Sequence, residues 1–348
     1  MTAVGPVEVR RTYFACAVCN QGEFGADRVL GLEGYLTAGA CRMACLAGVQ
    51  QSFARAEQLL DELAGWQLDD ETIRRVCHQT AHKARVEREE RATAELFAQA
   101  QGDCEAHIDA GKVNTLEGWR DVKVAIFAKR ERGEPATAAQ WDERDLPNPT
   151  ARSVIAAVEE ASVFGERCAA ETRRLHLPDA SQLSVLGDGA EWIWNLQQRH
   201  FPDAAGLLDV FHGRGHVADA AKGVFGEGTE EMKKQTERGQ QRLMEDGYCG
   251  VTEWIGEVAS QIPVGGDGAA LGSMLNYFAG HQDRLNYALR LRRGQSIGSG
   301  LVEGTIKQMI NLRMKQTGAR WKLEHVGPFV ELRALAAGPE WNAYWTPN

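Results

Sequence analysis

The chain has 348 residues, 43% apolar and 25% charged, which suits two or three globular domains and excludes disordered, collagen-like and coiled-coil classes. The longest stretch without Asp, Glu, Lys or Arg, Gly268–Gln282, spans 15 residues, so no membrane-spanning helix is expected. No apolar signal core lies in the opening MTAVGPVEVR, which predicts a cytoplasmic protein whose eight Cys are thiols or metal ligands rather than disulfides.

The net charge of -9 argues against a polyanionic partner until its distribution is considered. Between Arg290 and Lys322 stand eight basic residues and one acid, Glu303. A concentrated basic stripe on an acidic protein is a better sign of phosphate contact than total charge.

In chain order, Tyr13–Cys16 reads as a strand entering a knuckle, Cys16-x-x-Cys19, the spacing of half a zinc ribbon. Cys41 and Cys45 could complete four thiolates for Zn²⁺, but they lie in a helical pattern over Ala38–Val49, where Cys commonly serves as a small apolar residue. Phe53, Leu59, Leu60 and Leu63 mark a helix ending at Gly65. Asp69, Asp70, Glu71 and Thr72 then open another, with Ile73 and Val76 inward. Helix, turn, helix is a DNA-reading layout, and Arg74, Arg75, His78, His82, Lys83 and Arg85 would be presented by the second helix.

After Gly102 the period becomes two. Cys104, Ala106 and Ile108 predict a strand ending at Asp109, with Gly111 turning the chain into a second strand, Val122–Phe127. Gly133–Thr150 reads as a loop and Ala151–Leu175 as a helix. Leu183–Leu186 is a short strand ending at Gly187-Asp188-Gly189, a helix follows through Trp192 and Leu196, and Leu207–Phe211 is another buried strand. This alternation predicts an α/β core. From His216 to Arg293 the pattern is helical, interrupted at Pro263–Gly268.

The expected domains are 1–35, a partial zinc-ribbon-like knuckle; 36–101, a helical DNA-binding domain; 102–215, the first part of the core; 216–293, a helical insertion; and 294–348, a catalytic helix that completes the core.

Asp109 and Asp188 fall at predicted strand ends, where ligands gather in α/β sheets. Glu303 follows the turn Gly298-Ser299-Gly300, in the first turn of a helix running to Lys315, with Lys307 on its face. Converged, these carboxylates would suit hard Mg²⁺. Two such ions could support phosphodiester cleavage. Two competing patterns are present. Gly294-Gln295-Ser296-Ile297-Gly298 matches a hydrolase nucleophile elbow but lacks the apolar strand before it and an aspartate after it. His212 and His216 have zinc-ligand spacing near Asp209, without an evident third neutral ligand.

The run Ile297–Glu303, continued through Lys307-Gln308, Arg313-Met314-Lys315, Thr317-Gly318 and Arg320-Trp321, resembles the C-terminal signature of bacterial insertion-sequence transposases of the ISKra type. These are DDE enzymes with an RNase H-like fold, related to the Mutator-like group. Asp188–Trp194 with His200-Phe201-Pro202 resembles the block around their second aspartate. His107–Gly111 with Gly118-Trp119-Arg120 resembles the block around the first, and Asp209-x-x-His212 their D-x-x-H motif. The resemblance spans Val7 to Trp345.

It implies a mixed sheet flanked by helices, with Asp109, Asp188 and Glu303 as ligands of two Mg²⁺ or Mn²⁺ ions and His212 beside them. Water would cut one strand, and the freed 3′-hydroxyl would attack target DNA. Lys307, Arg313, Lys315 and Arg320 would hold phosphates, Trp321 would stack on an unpaired base, and a homodimer would join two element ends. Two departures stand out. Ala110 occupies a position where the family has glycine, and family members carry a further CxxC upstream of Cys16. The ribbon is therefore expected to be incomplete, and the alternative expectation is a truncated, catalytically inert DNA-binding protein.

Overall fold

A computed structural model of the chain describes residues 1–90, 93–177, 182–262 and 268–346. The expected helix break at Pro263–Gly268 lies, except for Gly268, outside the described residues. The N-terminal segment is a hairpin of β1 (Tyr13–Ala15) and β2 (Gly22–Phe24), then α1 (Gly25–Leu30) and a small pair, β3 (Leu32–Glu33) and β4 (Leu36–Thr37).

Three helices follow, each started by a side-chain cap. Thr37 opens α2 (Ala38–Gln50), Ser52 opens α3 (Phe53–Ala64), and Asp69 accepts from Thr72 N at 2.7 Å to open α4 (Asp70–Val86). Gly65 ends α3 with φ 64°, a conformation that glycine adopts without steric cost. Leu63, expected inward, is 79% exposed; Ala56 and Leu60 make the inner face. A 3₁₀ turn (Glu87–Glu90) and α5 (Thr93–Gln99) lead to the sheet.

The sheet has the order β7-β6-β5-β8-β9, formed by β5 (Asp103–Thr115), β6 (Gly118–Arg130), β7 (Ala151–Ala157), β8 (Leu183–Gly187) and β9 (Ala205–Leu208). The first three strands form an antiparallel meander, while β8 runs parallel to both β5 and β9. Between its strands and after them come α6 (Ala161–Arg174), α7 (Glu191–His200), α8 (Val210–Phe225), α9 (Glu230–Ala259), α10 (Ala269–Ala279) and α11 (Tyr287–Arg292). Then follow α12 (Gly300–Ile306), a π turn (Lys307–Asn311), α13 (Leu312–Met314), α14 (Leu323–Ala337) and α15 (Glu340–Trp345).

Three readings of the pattern are corrected. Ala151–Leu175 is not one helix: β7 occupies its first part and α6 begins at Ala161. Val154 and Ala156 bury against one layer and Ile155 and Ala157 against the other, so the run is apolar on both faces and its period is ambiguous. Gly111 does not turn the chain; β5 continues six residues beyond Asp109. The stretch Leu207–Phe211 divides at Asp209, which caps α8, so His216 lies inside that helix rather than at its start.

Alternation along β5 sends Cys104, Ala106 and Ile108 to a core shared with α6 and α7, including Phe164, Cys168, Ile193 and Leu196. The opposite face carries Val113, Val122, Val124 and Ile126, and it packs on Val302, Ile306 and Ile310 with Phe329 and Val330. Burying each such side chain contributes about 1.5–3 kcal/mol. A third apolar cluster joins α2, α3 and α4 to Leu332, Leu335 and Trp341, so α14 is shared between the sheet and the N-terminal helices. A buried ionic group ties the same parts together: Arg88 and Arg174 both pair with Glu171, and Arg174 also reaches Glu340 at 2.9 Å. No helix among the described residues is long and apolar enough to cross a membrane.

Candidate metal centre

The parallel pairing of β5 with β8 sets His107 opposite Leu186. Asp109 stands two residues further along β5, and Asp188 directly follows the end of β8, near enough that its charge acts on Asp109. Gly187 and Gly189 flank the second aspartate, and Gly189 has φ +96°. Asp188 Oδ1 accepts from Ala190 N at 2.9 Å, a local turn bond that fixes its carboxylate. Asp109 Oδ1 accepts from Ala110 N at 2.6 Å. Ala110 sits within an extended strand and outside the positive-φ residues, so its departure from glycine requires no backbone strain.

Glu303 reaches the same space from α12, which crosses β5 very closely. A Cβ on Gly111 would stand 2.7 Å from Ile310 Cδ1 and 2.9 Å from Ile306 Cγ2. Glycine there lets the helix lie against the strand just beyond Asp109. Burial, followed by the charges of Asp188 and Glu303, pushes the Asp109 carboxyl up to about 6, against the pull of its bond from Ala110. Three carboxylates crowd one region, and the charge of His212 opposes theirs at Asp109.

The most compact grouping among the described residues differs from the expected trio. Ligand atoms of Asp209, His212 and Glu303 lie within 4.8 Å of one another, while Asp109 and Asp188 stand outside that limit. Asp209 is fully buried and its oxygens are already occupied. Oδ1 accepts from His212 N at 3.0 Å and lies 3.3 Å from His212 Nδ1; Oδ2 accepts from Ser299 N at 2.5 Å and Ser299 Oγ at 3.0 Å. Burial opposes ionisation, yet the bonds from His212 and Ser299 hold this carboxyl below its usual range. Asp209 is therefore a strut: it caps α8, orients His212 and fixes the loop before Glu303. Ser299 Oγ also lies 3.0 Å from Glu303 Oε1, linking the strut to the glutamate. The hydrogen bond to Asp209 raises the pKa of His212, and the charges of Asp188 and Glu303 raise it further.

Hard carboxylate oxygens in a crowded acidic region fit Mg²⁺ or Mn²⁺ better than Zn²⁺. His216 does not join His212; its ring stacks on Tyr277 at 3.7 Å. Ser296 is no exposed nucleophile either, being buried with its hydroxyl donating to Glu105. The N-terminal knuckle is formed: Cys16 N donates to Gln21 O at 2.7 Å, and Asn20 takes φ 54°. Cys16 and Cys19 are exposed, and no third ligand joins them among the described residues. Cys41 and Cys45 do not complete that site, because both are buried in α2, where Cys45 Sγ donates to Thr80 at 3.3 Å.

The basic residues divide. Lys307, Lys315 and Arg320 are exposed. Arg313 is only 4% exposed, corrected from a phosphate contact to a packing residue: its guanidinium donates to Gly48 O at 3.2 Å and lies over Phe329 at 4.7 Å. Trp321 is likewise committed to the interior. It stacks on Phe329 at 4.9 Å and donates to Met314 O, so its ring is not offered to a base. On α4, Arg75 is exposed, but Arg74 pairs with Glu71 and reaches His325 on α14 at 3.2 Å. Arg74 and His78 thus face α14, not open solvent.

Ser299 and Gly111 were missed as site-building residues by sequence reasoning. The only local signal was glycine on either side of the serine and a glycine inside an alternating run. No protein-family model matches the chain, and no curated protein matches it.

Proposed function

We propose that the chain is a DDE-type DNA transposase with an RNase H-like core, cutting and joining strands at insertion-sequence ends. The observation that carries this reading is that Asp109 in β5, Asp188 just after the parallel neighbour β8, and Glu303 in α12 lie close enough for the charges of the latter two to act on Asp109. The mixed sheet flanked by helices supports it. Asp109, Asp188 and Glu303 would hold two Mg²⁺ or Mn²⁺ ions, which when bound activate an attacking oxygen and stabilise a departing one. His212, oriented by buried Asp209, can hold or release a proton beside the carboxylates. Exposed Lys307, Lys315, Arg320 and Arg75 would contact phosphates of the element ends and the target. Joining two ends calls for a homodimer on double-stranded DNA, acting in the cytoplasm.

The test is incubation with Mn²⁺ or Mg²⁺ and DNA carrying the terminal repeats of the proposed element. Nicking by the wild type, abolished in Asp188→Asn while DNA binding persists, is the expected result. Binding without nicking by the wild type would overturn the enzymatic reading and leave an inert DNA-binding protein.

A further inference from the structure

The hairpin of β1 and β2, with α1, is held by local contacts. None of its described side chains enters the three apolar clusters. Tyr13 lies on Phe24 at 5.1 Å between ring centres, and Arg11 pairs with Asp27 and covers the Phe24 ring at 4.4 Å. Two strands of three residues each are marginally stable alone, and units too small for a core usually need a metal or a partner. The tip of this hairpin carries Cys16 and Cys19. Its loop is closed by Cys16 N donating to Gln21 O and by Asn20 N donating to Cys16 O at 3.0 Å. The Cys16 sulfur accepts hydrogen bonds from the backbone of Cys19, then of Val18, and from the Cys19 thiol, which lower its pKa. The two sulfurs therefore stand side by side, two corners of a tetrahedral thiolate site.

Nothing among the described residues of the same chain supplies the other two corners. Of the eight cysteines only Cys16, Cys19 and Cys249 are exposed, and Cys249, on α9, does not group with the pair. The same tip leaves apolar surface uncovered. Val18, between the two cysteines, is 95% exposed, and Tyr13 and Phe14 in β1 are 56% and 61% exposed. A second copy presents the same two thiols and the same apolar rim, so the contact is self-complementary and closes about a twofold axis.

We propose that one Zn²⁺ is bound between two copies of this chain by Cys16 and Cys19 of each, joining them through their N-terminal hairpins. Each thiol loses its proton as its sulfur bonds the metal, and the closed four-sulfur site contributes the stability that the hairpin lacks in packing. The inference requires neither DNA nor the transposase reading.

The test uses the full chain without DNA, reduced with a phosphine, stripped with a chelator and then titrated with Zn²⁺. Mass by sedimentation equilibrium should rise from 38.2 kDa to about twice that value. Bound zinc should exceed that of Cys16→Ser/Cys19→Ser by about one ion per two chains, a difference that leaves out any zinc taken by the acidic cluster. Titration with Co²⁺ should give the sulfur-to-metal charge-transfer band of a tetrathiolate, saturating with the dimer and absent from the variant. Both positions are exposed, so the metal-free variant should melt with the metal-free wild type, and it should remain a monomer in zinc. A monomer that takes one zinc, or no zinc beyond that of the variant, would overturn the proposal. So would a dimer that survives chelation or forms equally in the variant.

Discussion

Gly111 shows how a residue with no side chain shapes the candidate centre. Its hydrogen occupies the space between β5 and the Ile306 and Ile310 side chains, and that contact sets how closely the end of α12 and the π turn lie against the strand. Gly111→Val should overpack this crossing, destabilising the fold by about 1–3 kcal/mol. It should also displace α12 from the strand. The expected outcome is a lowered melting temperature together with a loss of nicking larger than the unfolded fraction explains, checked by calorimetry and cleavage assays on the same preparation. Unchanged cleavage would show that the closeness of α12 to β5 does not govern the centre. Asp209 works differently, through four contacts to His212 and Ser299 that hold two elements in register.

At the scale of elements, the segment from α12 to α13 separates contact from support. Its exposed cations, with Arg320 beyond it, lie on a surface free to meet phosphate, whereas Arg313 is buried among Phe53, Trp321 and Phe329. Lys315→Ala/Arg320→Ala should therefore make the salt dependence of DNA binding shallower by about 2 in log–log slope, with little change in melting temperature. Arg313→Ala should do the reverse, costing on the order of 2 kcal/mol in stability through lost ring contacts and an orphaned Gly48 carbonyl while leaving the slope alone. Fluorescence anisotropy across a salt series, paired with thermal melts, separates the two. Sequence gave no means to rank these arginines and lysines, since all sit in one basic run and only the packing of Phe53 and Phe329 around one of them removes it from solvent.

For the whole molecule, the third apolar cluster joins the N-terminal helices to α14, and His78 lies in that junction. His78 is lowered to about 4 by burial, then by the charges of His325 and Arg74, with Glu71 opposing. A histidine kept neutral in the fold supports stability above its ordinary value near 6.5, and that support is lost as pH falls through about 4. The wild type should lose melting temperature between these limits, and His78→Gln should flatten the decline. An identical decline in both proteins would remove His78 from the acid response. The buried pair of Arg88 and Arg174 with Glu171 acts lower on the scale, because Glu171 is held to about 2 and keeps its charge until that pH.

What the sequence by itself determined was local: the cap at Asp69, the end of α3 at Gly65, the alternation of β5 and β6, and the aspartate after β8. Each depends on neighbours a few residues apart, where backbone preference and side-chain period are strong. The tertiary structure decided β7, because a strand covered on both faces has no readable period. It also decided the length of β5, because a glycine that signals a turn in sequence here admits a helix. The nearness of Asp109, Asp188 and Glu303 belongs to the same class: strand register and one close helix crossing bring together residues up to 194 positions apart. Long-range packing of that kind leaves no local periodic trace, so only the assembled sheet and helices could reveal it.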